Sequence, residues 1–147
     1  MPHDFDRWND IKKWTEFEKE PPILFPRERE VWMCSIGQNI GFEQHGMGQS
    51  FGRPVLVIKK FNNKMFWAAP LSSKQKAFDF YHNFTDPEGR RVAVILAQLR
   101  LISVKRFDRN MYTIPQRVLD GVRRKLTGFL RSKPRTRRGF SEPEGTL

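Results

Sequence analysis

Apolar residues recur at every third position near the start of the chain, which is the spacing of a stripe along a helix. Asp4, a residue type that commonly caps a helix N-terminus, precedes them, and Glu20-Pro21-Pro22 interrupts the pattern. The pattern therefore predicts a helix over residues 4–18 and a linker that runs through Pro26. Packing against the body of the protein is the expected role of the stripe, which consists of Phe5, Trp8, Ile11, Trp14 and Phe17.

From residue 29 onward the apolar residues form short continuous or alternating runs, which are typical of β-strands. Two such runs, 54–61 (PVLVIKKF) and 65–71 (MFWAAPL), flank the turn signal Asn62-Asn63 and predict a hairpin. A Gly- and Gln-rich segment over residues 37–52 predicts a loop longer than ordinary hairpin loops. The full set of predicted strands is 29–36, 54–61, 65–71, 77–84, 91–98 and 111–114.

An amphipathic pattern follows Pro115 and predicts a C-terminal helix with this proline at its first position. Its apolar face comprises Val118, Leu119, Val122, Leu126, Phe129 and Leu130. Five or more short strands with a closing helix favour a small closed or half-closed barrel, because closure removes exposed sheet edges. The predicted fold is mainly β with helices. It has a helical extension and linker over residues 1–25, a barrel with its C-terminal helix over 26–131, and a disordered tail over 132–147.

The composition fits one folded domain with a strongly basic surface. Lys and Arg outnumber Asp and Glu by 27 to 16, and the formal net charge is +11. A charge of this size indicates a polyanionic partner, a membrane surface or an acidic protein. No apolar run approaches the roughly 20 residues that span a bilayer, and the N-terminus lacks the apolar core of a secretory signal. Cys34 is the only cysteine, so an internal disulfide is excluded and a cytoplasmic location is expected.

Motifs for nucleotide or metal chemistry are missing from the sequence. It contains no P-loop, no GxGxxG after a strand, no CxxC and no HExxH. Its three histidines, His3, His45 and His82, are scattered, and no carboxylate cluster accompanies them. We therefore expect neither a metal site nor a cofactor, and we interpret Cys34 as a small core or edge residue of a strand.

The predicted hairpin places two polar residues side by side. Arg53 lies nine positions before Asn62, and Ser72 lies nine positions after Asn63, so symmetry about the turn pairs them. A guanidinium held at the start of a buried strand could receive a phosphate through a bidentate, charge-assisted pair. On this geometry alone, a surface ion pair for Arg53 and a turn cap for Ser72 remain open as structural alternatives.

Four motifs in order resemble the PemK/MazF family of toxins from toxin–antitoxin systems. They are Gly41-Phe42-Glu43-Gln44, residues 52–58 (GRPVLVI), residues 69–74 (APLSSK) and residues 94–102 (VILAQLRLI), with Lys105-Arg106 behind the last. The resemblance covers roughly residues 29–130. It implies an SH3-like barrel with a C-terminal helix, usually a homodimer, and a toxin silenced by an acidic antitoxin protein.

The same resemblance implies a metal-independent endoribonuclease that cuts single-stranded mRNA at short sequences. The RNA 2′-hydroxyl attacks the adjacent phosphate and leaves a 2′,3′-cyclic phosphate and a 5′-hydroxyl. By matching position, Arg53 stabilises the phosphate charge, Ser72 contacts the phosphate or the leaving oxygen, and Glu43 is a candidate general base or an orienter of Arg53. The implied scaffolding and RNA contacts are Gln44, Ser73, Lys74, Gln98 and Arg100.

Departures from the family pattern affect the same region. Ser72 replaces the usual Thr, Gly52 stands where some members have His, and residues 47–51 lengthen the loop. The family's cutting sequences therefore do not transfer. Two alternatives stay open: a non-catalytic barrel of the same fold, such as a toxin that targets DNA gyrase or a passive nucleic-acid binder, and a catalytically degraded chain.

Overall fold

The computed structural model describes residues 4–131, and the tail predicted over 132–147 lies outside them. Helix α1 spans Phe5–Phe17 and helix α2 spans Gln116–Leu130. Seven strands lie between the helices: β1 Glu30–Ser35, β2 Gly52–Lys60, β3 Met65–Ser72, β4 Tyr81–Thr85, β5 Arg91–Ile95, β6 Arg100–Ser103 and β7 Phe107–Thr113. Neither described helix is long and apolar enough to cross a membrane.

The strands form one antiparallel sheet in the order β4-β5-β3-β2-β1-β7, with β6 paired to β3 beside this path. Strand β3 divides its pairing, because Met65 to Ala68 pair with β6 while Leu71 and Ser72 pair with β5. Because β3 pairs with two different strands along the same edge, the sheet must bend at β3. The predicted mainly β, barrel-like fold is thus confirmed, in its half-closed form.

Strand β2 is buried on both faces, which explains its continuous apolar run. Leu56 and Ile58 belong to a core cluster that packs under α2 through Leu119 and Val122. Val55 and Val57, which alternate with them, belong to a second cluster inside the curved sheet. The second cluster consists of Trp32, Cys34, Ile36, Val55, Val57, Phe66, Ala68, Ile102, Val104 and Phe107.

Helix α1 begins as predicted, with Asp4 Oδ1 accepting a 2.9 Å hydrogen bond from the Arg7 N–H. Its apolar stripe is mostly not buried: Trp8 is 6% exposed, whereas Trp14 is 50% and Phe17 is 81% exposed. A three-residue step rotates each side chain by about 60° relative to the last on a helix of 3.6 residues per turn, so no single face holds the stripe. The predicted packing of α1 against the body is achieved through Trp8.

Some predicted boundaries were wrong. The strand predicted from residue 77 begins at Tyr81, and residues 96–98 form a 3₁₀ turn instead of continuing β5. Strand β6 was missed, and β7 begins at Phe107, four residues before its predicted start. Pro115 is the N-cap residue of α2, and the first helical residue is Gln116. Short polar–apolar segments such as Arg100–Ser103 carry too little periodicity to identify from sequence.

Candidate active site

The start of β2 lies at the mouth of a cavity of about 710 Å³. The end of β3, the β4–β5 turn, β7 and the loop between β1 and β2 (residues 36–51, hereafter the long loop) supply the other walls. The polar side chains that line it include Arg53, Ser72, Ser73, Asp86, Arg90 and Tyr112. The cavity therefore brings together a guanidinium and two of the predicted hydroxyl groups.

The guanidinium of Arg53 is half-buried and held by the backbone around it. Its Nε donates to the His45 carbonyl at 2.8 Å, and its Nη1 donates to the Leu71 carbonyl at 3.1 Å. The Gln44 amide is oriented with its oxygen toward Arg53, because only this orientation pairs acceptor with donor. The Gln44 oxygen then accepts from Arg53 Nη1 at 3.3 Å and from Nη2 at 2.9 Å. Burial lowers the pKa of Arg53, an effect that Tyr81 opposes. Because a guanidinium has five N–H donors, Nη2 keeps one for a ligand.

The hairpin predicted from sequence is present, but its register is not symmetric about Asn62-Asn63 along its whole length, because it shifts by one residue between Val57 and Lys59. The β2–β3 pairing ends at Val55 and Pro70, two residues short of Arg53 and Ser72. If this register continued, Arg53 would stand level with Ser72. Ser72 Oγ accepts a 3.1 Å hydrogen bond from the Lys74 N–H. Ser72 thus caps a turn and also lines the cavity of Arg53, while the Lys74 side chain is exposed.

Four predicted site residues line a second cavity of about 540 Å³ on the other side of the start of β2. They are Glu43, Gln44, Gln98 and Arg100. Val55 and Pro70 face this cavity, whereas their ladder neighbours Pro54 and Leu71 face the Arg53 cavity. The predicted site is therefore divided between two cavities that share the β2–β3 hairpin as a wall.

Within the Gly41-Phe42-Glu43-Gln44 motif, Gln44 and not Glu43 contacts Arg53 in this structure. Glu43 Oε1 accepts a 2.9 Å hydrogen bond from the Ile40 N–H and so closes a turn of the long loop. The general-base role of Glu43 stays a prediction. An orienting contact from Glu43 to Arg53 does not occur among the described residues.

Gln98 fixes the long loop from the barrel side. Its Oε1 accepts from the Gln44 N–H at 3.1 Å, and its Nε2 donates to the Phe42 carbonyl at 2.9 Å. Arg100 lies beside it on β6, and its charge contributes to the lowered pKa of Arg106, after burial as the main cause. Gln98 therefore supports the segment that carries Gln44, and its role in a functional site stays a prediction.

Sequence reasoning missed the wall formed by the β4–β5 turn and β7. The buried Asp86 carboxylate accepts from the Arg90 N–H and, at 3.0 Å, from Arg90 Nε. Burial, with help from Asp86, raises the pKa of Tyr112 to about 12, so this phenol stays a hydrogen-bond donor. The turn signal at Asp86 was readable from sequence, but its distance in space from Arg53 was not.

Within residues 4–131, no group of three or more His, Cys, Asp or Glu side chains is arranged to hold a metal ion. Cys34 is fully buried in the core, and burial raises the pKa of its thiol well above the ordinary value. The structural interpretation of Cys34 is consistent with this environment.

The family comparison assigns the chain to a class of toxins. Residues 27–130 match the family described as "PemK-like, MazF-like toxin of type II toxin-antitoxin system". The chain therefore belongs to the PemK/MazF family of toxins. A comparison with curated proteins gives no match.

Solved structures support the same fold. The chain is similar to MazF from Deinococcus radiodurans, with a TM-score of 0.62 and 24% identity over 73% of this chain and 97% of that one. A structure titled MazE-MazF (Form-II) from the same organism gives a TM-score of 0.58 and 20% identity over 73% of this chain and 96% of that one. At these identities the likeness concerns the fold, and helix α1 lies before the family-matched range.

Proposed function

We propose that this protein is the toxin of a type II toxin–antitoxin pair and a metal-independent, sequence-selective endoribonuclease that cleaves single-stranded mRNA. The observation that carries the proposal is the half-buried Arg53 guanidinium, which retains a free donor at a cavity shared with Ser72. Family membership supports the class of toxin. The arrangement of Arg53 supports the chemistry, because a fixed cation can stabilise charge that develops on a phosphate.

The proposed reaction is an internal transesterification. The 2′-oxygen of one nucleotide bonds to the adjacent phosphorus, and the bond from that phosphorus to the 5′-oxygen of the next nucleotide breaks. The 2′-hydroxyl proton passes to a base, and the leaving 5′-oxygen receives a proton. The products are a 2′,3′-cyclic phosphate and a 5′-hydroxyl, and the step requires no metal or cofactor.

Each predicted catalytic residue has a role in this step. Arg53 stabilises the negative charge on the five-coordinate phosphorus, an effect whose loss typically costs about 10²–10³ in rate. Ser72 hydrogen-bonds the phosphate or the leaving oxygen. Glu43 acts as the general base through its second carboxylate oxygen, since Oε1 accepts from the Ile40 N–H. Gln44, Ser73, Lys74, Gln98 and Arg100 complete the proposed RNA-contacting surface.

The proposed partners are polyanions or acidic proteins. A net charge of +11 favours both single-stranded RNA and an acidic antitoxin protein. Structures of MazE-MazF exist for the Deinococcus radiodurans relative, which supports an antitoxin partner for this chain. We further propose a homodimer that acts in the cytoplasm.

A test of the proposed chemistry uses a long single-stranded RNA incubated with the protein in excess EDTA. We expect discrete cuts with 5′-hydroxyl and 2′,3′-cyclic phosphate ends. A matched RNA with one 2′-deoxynucleotide at a mapped cut site loses that cut alone, because the attacking hydroxyl is missing there.

Three outcomes would contradict the proposal. Cuts that leave 5′-phosphate ends, or that persist at the 2′-deoxy position, would exclude attack by the 2′-hydroxyl. RNA that is bound and left intact would instead favour a non-catalytic barrel, for which inhibition of DNA gyrase is then the next assay.

A further inference from the structure

Two segments outside the ordinary family pattern contact each other in this structure. Helix α1 precedes the family-matched range of residues 27–130. The long loop contains residues 47–51, which lengthen it relative to the family pattern. Two side chains of α1, those of Arg7 and Trp8, contact this part of the loop.

Trp8 is the main contact of α1 with the long loop. Its ring is buried and lies edge-on to the buried ring of Phe51, with centroids 5.5 Å apart. It also covers Gly37, where an added Cβ would overlap the indole. The guanidinium of Arg106 lies over the Trp8 ring at 5.7 Å. Trp8 thus joins both ends of the long loop to the barrel.

Arg7 adds a second contact beside Trp8. Its Nη2 donates to the Gly48 carbonyl at 3.3 Å, and its guanidinium lies 4.9 Å from the centroid of Phe51. At the far end of α1, Lys105 Nζ donates to the Glu16 carbonyl at 2.6 Å, and Lys19 Nζ donates to the Phe107 carbonyl at 3.0 Å. The helix is therefore held along its length.

Phe51 is the residue through which this contact reaches the candidate active site. It has a positive φ of 53°, a conformation that is unfavourable for a bulky residue and persists only where surrounding contacts impose it. Its carbonyl accepts from the N–H groups of Ile36 and Gly37 at 3.0 and 3.1 Å. Arg53 follows two residues later, so the conformation of Phe51 sets the direction in which the chain enters β2.

The other side of the long loop holds the Arg53 guanidinium directly. Gly46 packs against the Phe51 carbonyl and donates its N–H to the Gly37 carbonyl at 2.7 Å. The next residue back, His45, supplies the carbonyl that accepts from Arg53 Nε. A continuous set of contacts thus runs from Trp8 through Phe51 and Gly46 to Arg53.

From this arrangement we infer that α1 is a built-in brace of the long loop and that Trp8 is a positioning residue for Arg53. Loss of the Trp8 ring releases Phe51 from its imposed backbone conformation. The loop then no longer presents the His45 carbonyl to Arg53 in one place. The catalytic consequence of the brace rests on the proposed function, whereas the structural consequence does not.

The test compares amide hydrogen exchange in full-length wild type and variants without RNA. We expect Trp8→Ala to accelerate exchange at Gly46, Met47 and Gly52, whose N–H groups bond within the loop and its exit. Trp14→Ala is the matched control, since this half-exposed tryptophan lies on the same helix. Amides of the paired part of the β2–β3 hairpin, residues 55–70, should exchange as in wild type, and Trp8→Phe should restore most of the protection.

RNA cleavage provides the second readout. We expect Trp8→Ala to lower kcat about tenfold or more with a smaller change in KM, because a displaced catalytic group impairs the chemical step more than substrate binding. Trp14→Ala should cut at the wild-type rate, and Trp8→Phe should recover activity. If Trp8→Ala fails to fold, Arg7→Ala gives the same test in milder form, since Arg7 is exposed.

The outcomes separate this inference from the proposed function. Unchanged loop exchange in Trp8→Ala and Arg7→Ala overturns the brace, whatever the protein does to RNA. Faster exchange in a protein whose wild type does not cut RNA supports the brace and contradicts the nuclease. Faster exchange with an unchanged kcat overturns the positioning role of Trp8.

Discussion

Arg53 is both a structural and a candidate catalytic residue, and the two roles use different donors of one side chain. Its Nε and Nη1 bind the His45 and Leu71 carbonyls, while Nη2 keeps a donor for a ligand. Substitution of such a residue changes both the loop and the chemistry. Conservative variants of its neighbours are therefore the more selective test of individual roles.

Glu43 offers one such selective variant. Glu43→Gln keeps an oxygen that can accept from the Ile40 N–H but removes the proton acceptor. If Glu43 is the general base, kcat should fall about 10²–10⁴-fold with unchanged thermal stability. Single-turnover cleavage assays measure this effect. Wild-type cutting by Glu43→Gln would leave Glu43 with the turn-closing role only.

We expect His82 to make the free energy of unfolding depend on pH. Burial, followed by the charge of Lys125, lowers its pKa, and its buried Nδ1 finds no hydrogen-bond partner within residues 4–131. As the pH falls through the ordinary value of 6.5, the unfolded chain binds the proton first, so the folded state loses stability down to the lowered pKa. We expect urea unfolding to need less denaturant at pH 5.5 than at pH 7.5. A His82→Gln variant with an equally large loss between these values would refute the assignment to His82.

At the scale of elements, the sequence predicts the strands and helices that have a long, regular pattern of buried residues. The continuous apolar run of β2 and the turn signal at Asn62-Asn63 predicted the hairpin, but not the irregularity between Val57 and Lys59 that shifts its register by one residue. The contact between Gln44 and Arg53 could not be predicted, since it depends on the path of an aperiodic loop. The same holds for the contact of Trp8 with Phe51, which joins distant parts of the chain.

The long loop depends on a close backbone approach at Gly46. Gly46→Ala places a Cβ against the Phe51 carbonyl, and we expect it to lower the free energy of unfolding by about 1–3 kcal/mol, the usual cost of overpacking. Gly128→Ala is the matched control, since its Cβ points into open space in α2 and should stabilise by up to about 1 kcal/mol. Denaturant titration of both variants measures the difference. Equal stabilities would show that the loop adapts without cost.

At the scale of the whole molecule, the excess of 27 basic over 16 acidic residues governs the approach of an anionic partner. We expect the affinity for single-stranded RNA to fall steeply with salt. For about four phosphates contacted, the logarithmic slope is about −3, which is roughly a 50-fold loss between 50 and 200 mM salt. Fluorescence anisotropy with a labelled RNA measures it. A slope near zero would contradict binding through phosphate contacts.

The central claim is that Arg53 stabilises the phosphate during RNA cleavage, and single-turnover cleavage in EDTA by Arg53→Ala tests it most directly. Arg117→Ala is the control, because it removes the same charge from an exposed position on α2. We expect the Arg53→Ala rate to fall about 10²–10³-fold while its circular dichroism spectrum and the activity of Arg117→Ala stay as in wild type. Cleavage by folded Arg53→Ala at the wild-type rate would contradict the account.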